Sequence, residues 1–142
     1  MAYKKIRCEI RCLEPATVRA AKRAMMGAVI SKVPFVCKVS GQKEENLLLS
    51  DDRAQYLAAL PDALGGPLTQ KILYAILGAE LCECDIVTLT DDDEGRVLNE
   101  LERLRINGIV TCRAIEGMTY YSLGNANVKD RLTKHLADME AL

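Results

Sequence analysis

Apolar residues recur at helical spacing in several stretches of this chain and alternate with polar ones in others. In residues 68–77, Leu68, Ile72, Leu73, Ile76 and Leu77 form one face of a strongly amphipathic helix, which Gly78 ends. Val97, Leu98, Leu101 and Leu104 do the same across residues 94–107, with Asn107-Gly108 as the C-terminal cap. Val128, Leu132, Leu136 and Met139 define a C-terminal helix. Pro15 suits a first turn, and Val18, Ala21, Met25, Ala28 and Val29 then predict a helix over residues 15–31, with Arg19, Lys22 and Arg23 on its outer face. Ser50-Asp51-Asp52 reads as the cap of a helix running through Tyr56, Leu57 and Leu60 to about residue 64, with Pro61 able to break it. A short helix over residues 80–89 and a turn over residues 90–93 fill the interval before the helix at 94.

The remaining stretches read as extended or irregular. Residues 109–114 and 118–123 are rich in β-formers and are joined by Glu116-Gly117, a hairpin signal. Residues 33–40 are β-prone, but Pro34 confines them to an edge or an irregular piece, and the polar run 41–46 reads as a loop. In residues 1–13, Ile6, Cys8, Ile10 and Cys12 recur with period two, which predicts an extended arm with both thiols on one side. The order helix, short helix, turn, helix, hairpin, helix is that of a winged helix–turn–helix. The expected fold class is therefore mostly α with a small β-hairpin (α+β). An N-terminal arm, helix and extended segment would occupy residues 1–50, and the winged domain with a C-terminal dimer helix residues 51–142.

Composition narrows the function. A chain of 142 residues, 49% of them apolar, can build one domain with a core. No run approaches the ~18 apolar residues of a membrane span, and no leader opens the sequence, so a cytoplasmic protein without membrane association is expected. In a reducing cytosol six cysteines point to metal or redox chemistry rather than disulfides. The net charge of −1 hides an asymmetry: +8 through Lys43 and −9 beyond it. The basic front end suits phosphate or an acidic partner surface. An enzyme is not expected, because there is no Gly-rich phosphate loop, no histidine beside a nucleophile and no pair of carboxylates beyond surface acids.

The candidate chemistry lies in the thiols. Cys82 and Cys84 are separated by one residue, and Cys8 and Cys12 by three. Thiolates bind soft cations, so four sulfurs suit Cd2+, Pb2+ or Zn2+ better than Mg2+ or Ca2+. On a regular helix residues i and i+2 point about 200° apart, so Cys82 and Cys84 can share an ion only at an opening first turn, where the helix N-terminus also favours anions. Cys37 is a further candidate ligand or a small buried apolar residue.

The segment Glu80-Leu81-Cys82-Glu83-Cys84-Asp85-Ile86 resembles the metal-binding helix of ArsR/SmtB-type repressors. Cys8-Glu9-Ile10-Arg11-Cys12 resembles the N-terminal cysteine motif of the cadmium/lead-responsive CadC-like branch, and Tyr120-Tyr121-Ser122-Leu123-Gly124 after the wing is similar to the family as well. The resemblance implies a homodimer whose metal site combines Cys8 and Cys12 of one subunit with Cys82 and Cys84 of the other. It also implies that metal loading releases operator DNA. The family's second metal site would fall on Asn125, Asn127 and Asp138, a donor set too poor for zinc, so that site is expected to be absent; His135, the only histidine, reads as a surface or dimer-interface residue.

The expected DNA contacts are Arg96, Asn99 and Arg103 on the recognition helix and Arg113 on the wing. Between residues 91 and 105, however, six acids face three arginines, and acids near the groove oppose phosphate contacts. Three readings follow: a soft-metal-responsive repressor, a thiol redox-sensing regulator, or a metal-binding interaction protein whose winged helix no longer binds DNA. Residues 33–50 are longer than the family needs, and the sequence assigns them no role.

Overall fold

The computed structural model describes residues 13–25, 27–36 and 43–140. Cys8, Cys12 and Cys37 lie outside the described residues. The elements are α1 (Pro15–Ala24), β1 (Ile30–Val36), β2 (Lys43–Leu49), α2 (Asp51–Ala58), α3 (Pro67–Gly78), β3 (Leu81–Cys82), α4 (Glu83–Thr90), α5 (Glu94–Ile106), β4 (Val110–Ile115), β5 (Met118–Leu123) and α6 (Ala126–Glu140). This is an α+β winged helix–turn–helix, as the pattern predicts, with an additional hairpin in front of it.

Helix α3 is the hub. Its Ile72, Leu73, Tyr74 and Ala75 are essentially sealed from solvent, and it packs against β2, α2, α4, α5, β5 and α6. Pro67 occupies its first turn, where the missing N–H costs nothing. Helices α4 and α5 form the helix–turn–helix. Asp91 ends α4 in the left-handed region (φ 52°), and the Asp93 side chain caps α5 by accepting from the Arg96 backbone N–H at 3.1 Å. Val97, Leu101 and Leu104 bury the inner face of α5. Strands β4 and β5 pair antiparallel, and their turn places Glu116 at φ 50° and Gly117 at φ 79°. Two successive positive φ values define the primed turn that matches strand twist. Val128, Leu132 and Met139 seat α6 on the core, and among the described residues no helix is long and apolar enough to cross a membrane.

Four expectations change. Helix α1 ends at Ala24, not at residue 31, because Gly27 takes φ 88° and the β-branched pair Val29-Ile30 leads into a strand. Helix α2 stops at Ala58, ahead of Pro61. Residues 43–46 are not a loop: Lys43-Glu44-Glu45-Asn46 is the first half of β2, paired antiparallel with β1 from Val36↔Lys43 to Ile30↔Leu49. Pro34 is accommodated because its sheet has only two strands, so each is an edge. Finally, Leu81 and Cys82 are not helical; they form β3 on the far side of β5 from β4.

The β1–β2 hairpin is part of the core. Leu47, Leu48 and Leu49 are buried, as are Val33 and Phe35. Gly78 at the end of α3 lies so close that a Cβ there would stand 2.8 Å from the Glu45 carbonyl oxygen. Asn46 is fully buried beside these leucines, and among the described residues neither amide atom has a hydrogen-bond partner.

Candidate metal centre and nucleic-acid face

The thiol pair lies where strand becomes helix. Cys82 closes β3 and is the N-cap residue of α4; Cys84 and Asp85 fall in its first turn. That change of backbone lets residues i and i+2 converge despite the helical repeat. The two Sγ atoms are 3.2 Å apart, and the Cys82 thiol donates to Asp85 Oδ2 at 3.3 Å. All three side chains are buried, with their donor atoms within 4.8 Å of one another. Among the described residues this is the single cluster of three or more candidate ligands.

The donors fit a soft divalent cation. Two sulfurs about 2.3 Å from a tetrahedral ion stand about 3.8 Å from each other, so the pair needs only to open slightly. Its separation far exceeds the ~2.05 Å of a disulfide. Asp85 also reaches the N-terminal segment. Its Oδ1 accepts from the backbone N–H of Leu13 at 3.0 Å, and Leu13 is itself buried. The start of α1 is thus fixed to the thiol cluster of the same chain. Asp85 escaped the sequence reading, although its place three residues after Cys82 puts it over the same helical turn.

The wing roofs the cluster. Cys82, Cys84 and Tyr120 pack together, with Ile115 and Met118 of the wing against them. Cys82 pairs with Tyr120 across the β3–β5 ladder, so this thiol belongs to the sheet that carries the wing. Tyr121 donates to Glu83 Oε1 at 3.2 Å, and burial, reinforced by that carboxylate, pushes its phenol well above the ordinary range.

On the candidate nucleic-acid face every arginine named by the sequence has an acidic partner. Arg96 is exposed and pairs with Asp92 at 3.2 Å. Arg103 pairs with Glu100 and donates to the Leu64 carbonyl oxygen at 2.9 Å. Arg113 makes a two-pronged bond to Glu80, at 2.9 and 2.5 Å, which holds its guanidinium above the usual range. Arg105, next along α5, pairs with Glu102 at 2.5 Å. Asn99 is exposed on the same helix.

The residues of the second family site have structural surroundings. Asn125 caps α6, its Oδ1 accepting from the backbone N–H groups of Asn127 and Val128. His135 is half-buried and, with Arg53, Tyr56 and Asp138, lines a shallow pocket between α2 and α6. The sixth cysteine, Cys112, is exposed on β4.

No family model matches the chain. It is 32% identical over 91 residues to a transcriptional repressor SmtB homolog of Synechocystis sp. (strain ATCC 27184 / PCC 6803 / Kazusa), an alignment spanning 64% of this chain and 68% of the relative. Solved structures superpose more loosely. The transcriptional regulator HlyU from Vibrio vulnificus CMCP6 gives a TM-score of 0.47 at 23% identity, covering 49% of this chain and 72% of that one. The homodimeric winged helix-turn-helix DNA-binding domain of Mb0332 from Mycobacterium bovis gives 0.45 at 22% identity, covering 52% and 70%. On its sequence identity to the cyanobacterial repressor homolog, this chain belongs to the ArsR/SmtB family of transcriptional regulators.

Proposed function

We propose that this regulator is a soft-metal-responsive repressor of the CadC-like kind, which binds operator DNA as a homodimer and releases it when its thiolates take up Cd2+, Pb2+ or Zn2+. One observation carries this reading: Cys82, Cys84 and Asp85 converge, buried, on the first turn of the first helix of the helix–turn–helix. A bound soft cation would supply the positive charge that keeps the sulfurs deprotonated. The chain supplies the rest. The sulfurs must part by about 0.6 Å, and Asp85 must exchange its Cys82 contact for another. Both changes act on α4 and on the β3–β5 ladder together.

Cys8 and Cys12 complete the donor set in this reading. Leu13, the next residue after Cys12 in the sequence, donates its backbone N–H to Asp85, which supports this reading. The Leu13–Asp85 bond lies within one chain and favours a second arrangement, in which the arm thiols serve their own subunit rather than the partner. Mixed dimers separate the two. One subunit would lack Cys8 and Cys12 and the other Cys82 and Cys84. Shared sites leave one complete four-thiolate site per mixed dimer; sites built within one chain leave none.

The DNA contacts are Arg96, Asn99 and Arg103 of the recognition helix; Arg113, on the wing, is open to a phosphate only where it leaves Glu80. Exposed ion pairs contribute about 0–1 kcal/mol, so phosphates can displace Asp92 and Glu100 at small cost. The test is a titration with cadmium under anaerobic, reducing conditions, read by thiolate charge-transfer absorption and by gel shift of a duplex from upstream of the chain's own coding sequence. The expected result is growth of the absorption together with loss of the shifted band, and Cys82→Ser abolishes both. Survival of both in Cys82→Ser would sink the proposal. Release by peroxide but not by cadmium would favour a redox sensor, and cadmium uptake without any DNA binding would favour an interaction protein.

A further inference from the structure

The wing arginine is held by a residue that no reading of the DNA face includes. Glu80 immediately precedes β3, and both its carboxylate oxygens take hydrogen bonds from Arg113, 33 residues further on. The pair spans the three-stranded sheet. Cys82 lies opposite Tyr120, and Tyr120 lies opposite Arg113. Residues directly opposite one another share a face of the sheet, and Glu80, two positions before Cys82, continues the same alternation. The Arg113 side chain is 65% exposed and that of Glu80 27%, so the cation is at the surface while its anchor is partly sheltered. The pair differs in kind from those on α5. Arg96–Asp92 and Arg103–Glu100 link neighbours on one stretch of chain and travel with it. Glu80–Arg113 links the wing to the body of the domain, so it fixes where a cation on a projecting hairpin can reach.

We propose that Glu80 is a positioning residue for the wing, competing with DNA phosphate for Arg113 and keeping that arginine's charge off the duplex. The inference rests on the DNA-binding reading above. A bidentate guanidinium–carboxylate pair uses the same two-pronged geometry that would grip a phosphate. Arg113 therefore cannot make both contacts at full strength. The wild-type complex counts one phosphate neutralisation fewer than its arginines suggest, and removing the Glu80 charge restores it.

The experiment measures DNA affinity as a function of salt for the full-length protein with the upstream duplex. Wild type, Glu80→Gln, Arg113→Gln and the double variant are compared. Each phosphate neutralised adds about 0.9 to the slope of log affinity against log salt. Glu80→Gln should steepen the slope by about 0.9 and tighten binding about two- to fivefold at low salt, in line with the small worth of an exposed ion pair. Arg113→Gln alone should leave the wild-type slope nearly unchanged, and the double variant should return to it. A Glu80→Gln slope equal to wild type, or a loss of about 0.9 on Arg113→Gln alone, would overturn the latch while leaving the repressor reading intact. Absence of any salt-dependent binding by the wild type would overturn the repressor reading and the latch with it. Both side chains are at the surface, and unchanged thermal unfolding of the variants confirms that the slopes compare folded proteins.

Discussion

The hairpins β1–β2 and β4–β5 are both antiparallel ladders of similar length, yet they are buried in opposite ways. In the first, Leu47, Leu48 and Leu49 are inaccessible on both faces, and α3 closes over Glu45 and Leu47 at Gly78. In the second, Thr111, Cys112, Arg113 and Ala114 are all exposed, and burial is confined to Val110, Tyr120 and Tyr121, near the base and beside β3. One hairpin is a wall of the core and the other is a limb attached to it. Strand pairing alone does not decide which; the decision comes from what covers the strand faces. A wall contributes stability and tolerates little change. A limb contributes reach, so its substitutions should register in binding before they register in folding.

That contrast can be broken in four places. Leu49→Ala removes a side chain that is 2% exposed and should cost about 2–5 kcal/mol in chemical denaturation; a loss below about 1 kcal/mol would show that the first hairpin is not part of the core. Asn46→Val acts in the other direction. Among the described residues the buried amide has no hydrogen-bond partner, so a β-branched apolar replacement should stabilise by about 1–3 kcal/mol, and destabilisation would mean that the amide has a partner. On the wing, Gly117→Ala forces an L-residue to φ 79° and should cost about 1 kcal/mol, with a larger proportional effect on DNA affinity than on stability. Equal effects on both would erase the distinction between wall and limb.

The smallest effect is at the joint after β2, where Asp51 opens α2. A hydrogen bond from Lys71 holds the Asp51 carboxyl below its ordinary value; burial opposes it, and the charges of Lys71 and Lys22 add to the lowering. A carboxyl whose folded value is depressed stabilises the protein above its unfolded value of ~3.9, and that contribution disappears as the pH falls through the folded value. Asp51 is more than half exposed, so the amount is below about 1 kcal/mol. Asp51→Asn should lower stability at neutral pH by less than about 1 kcal/mol, change little where Asp51 is already protonated, and so flatten the acid limb below about pH 4; an undiminished acid limb would remove Asp51 as its source.

The limb was legible in the sequence and the wall was not, for physical reasons. Glu116-Gly117 between two alternating runs is a local signal, since a two-residue turn needs only its own φ values to be favourable. Lys43-Glu44-Glu45-Asn46 carries no such signal. Three charges and an amide read as loop, and they become strand because Leu47-Leu48-Leu49 must be buried and β1 lies beside them. Pro34 limited its stretch to an edge or an irregular piece, and the edge is what the two-stranded sheet supplies, since no third strand needs the missing N–H. At the candidate site the thiol spacing was readable, and so was the need for an opening helix. Asp85 was not, because an acid in a first turn already has an ordinary explanation in the helix dipole. The Glu80–Arg113 pair lay beyond sequence reading altogether, since no periodicity connects residues 33 positions apart. The acidic balance of the recognition segment was visible as a total; its resolution into individual pairs needed coordinates.

The two-residue strand β3 has one further consequence. Because Cys82 is itself a rung of the ladder with Tyr120, tension on its sulfur is delivered to peptide groups, without a swinging loop or a train of side chains in between. A connection that short has little slack, so it conveys tilt more readily than it absorbs it. If the protein is the metal-responsive repressor proposed above, inserting a flexible residue between Cys82 and Glu83 would loosen the coupling without removing a single donor atom, leaving a regulator that still captures its ion but no longer reports it.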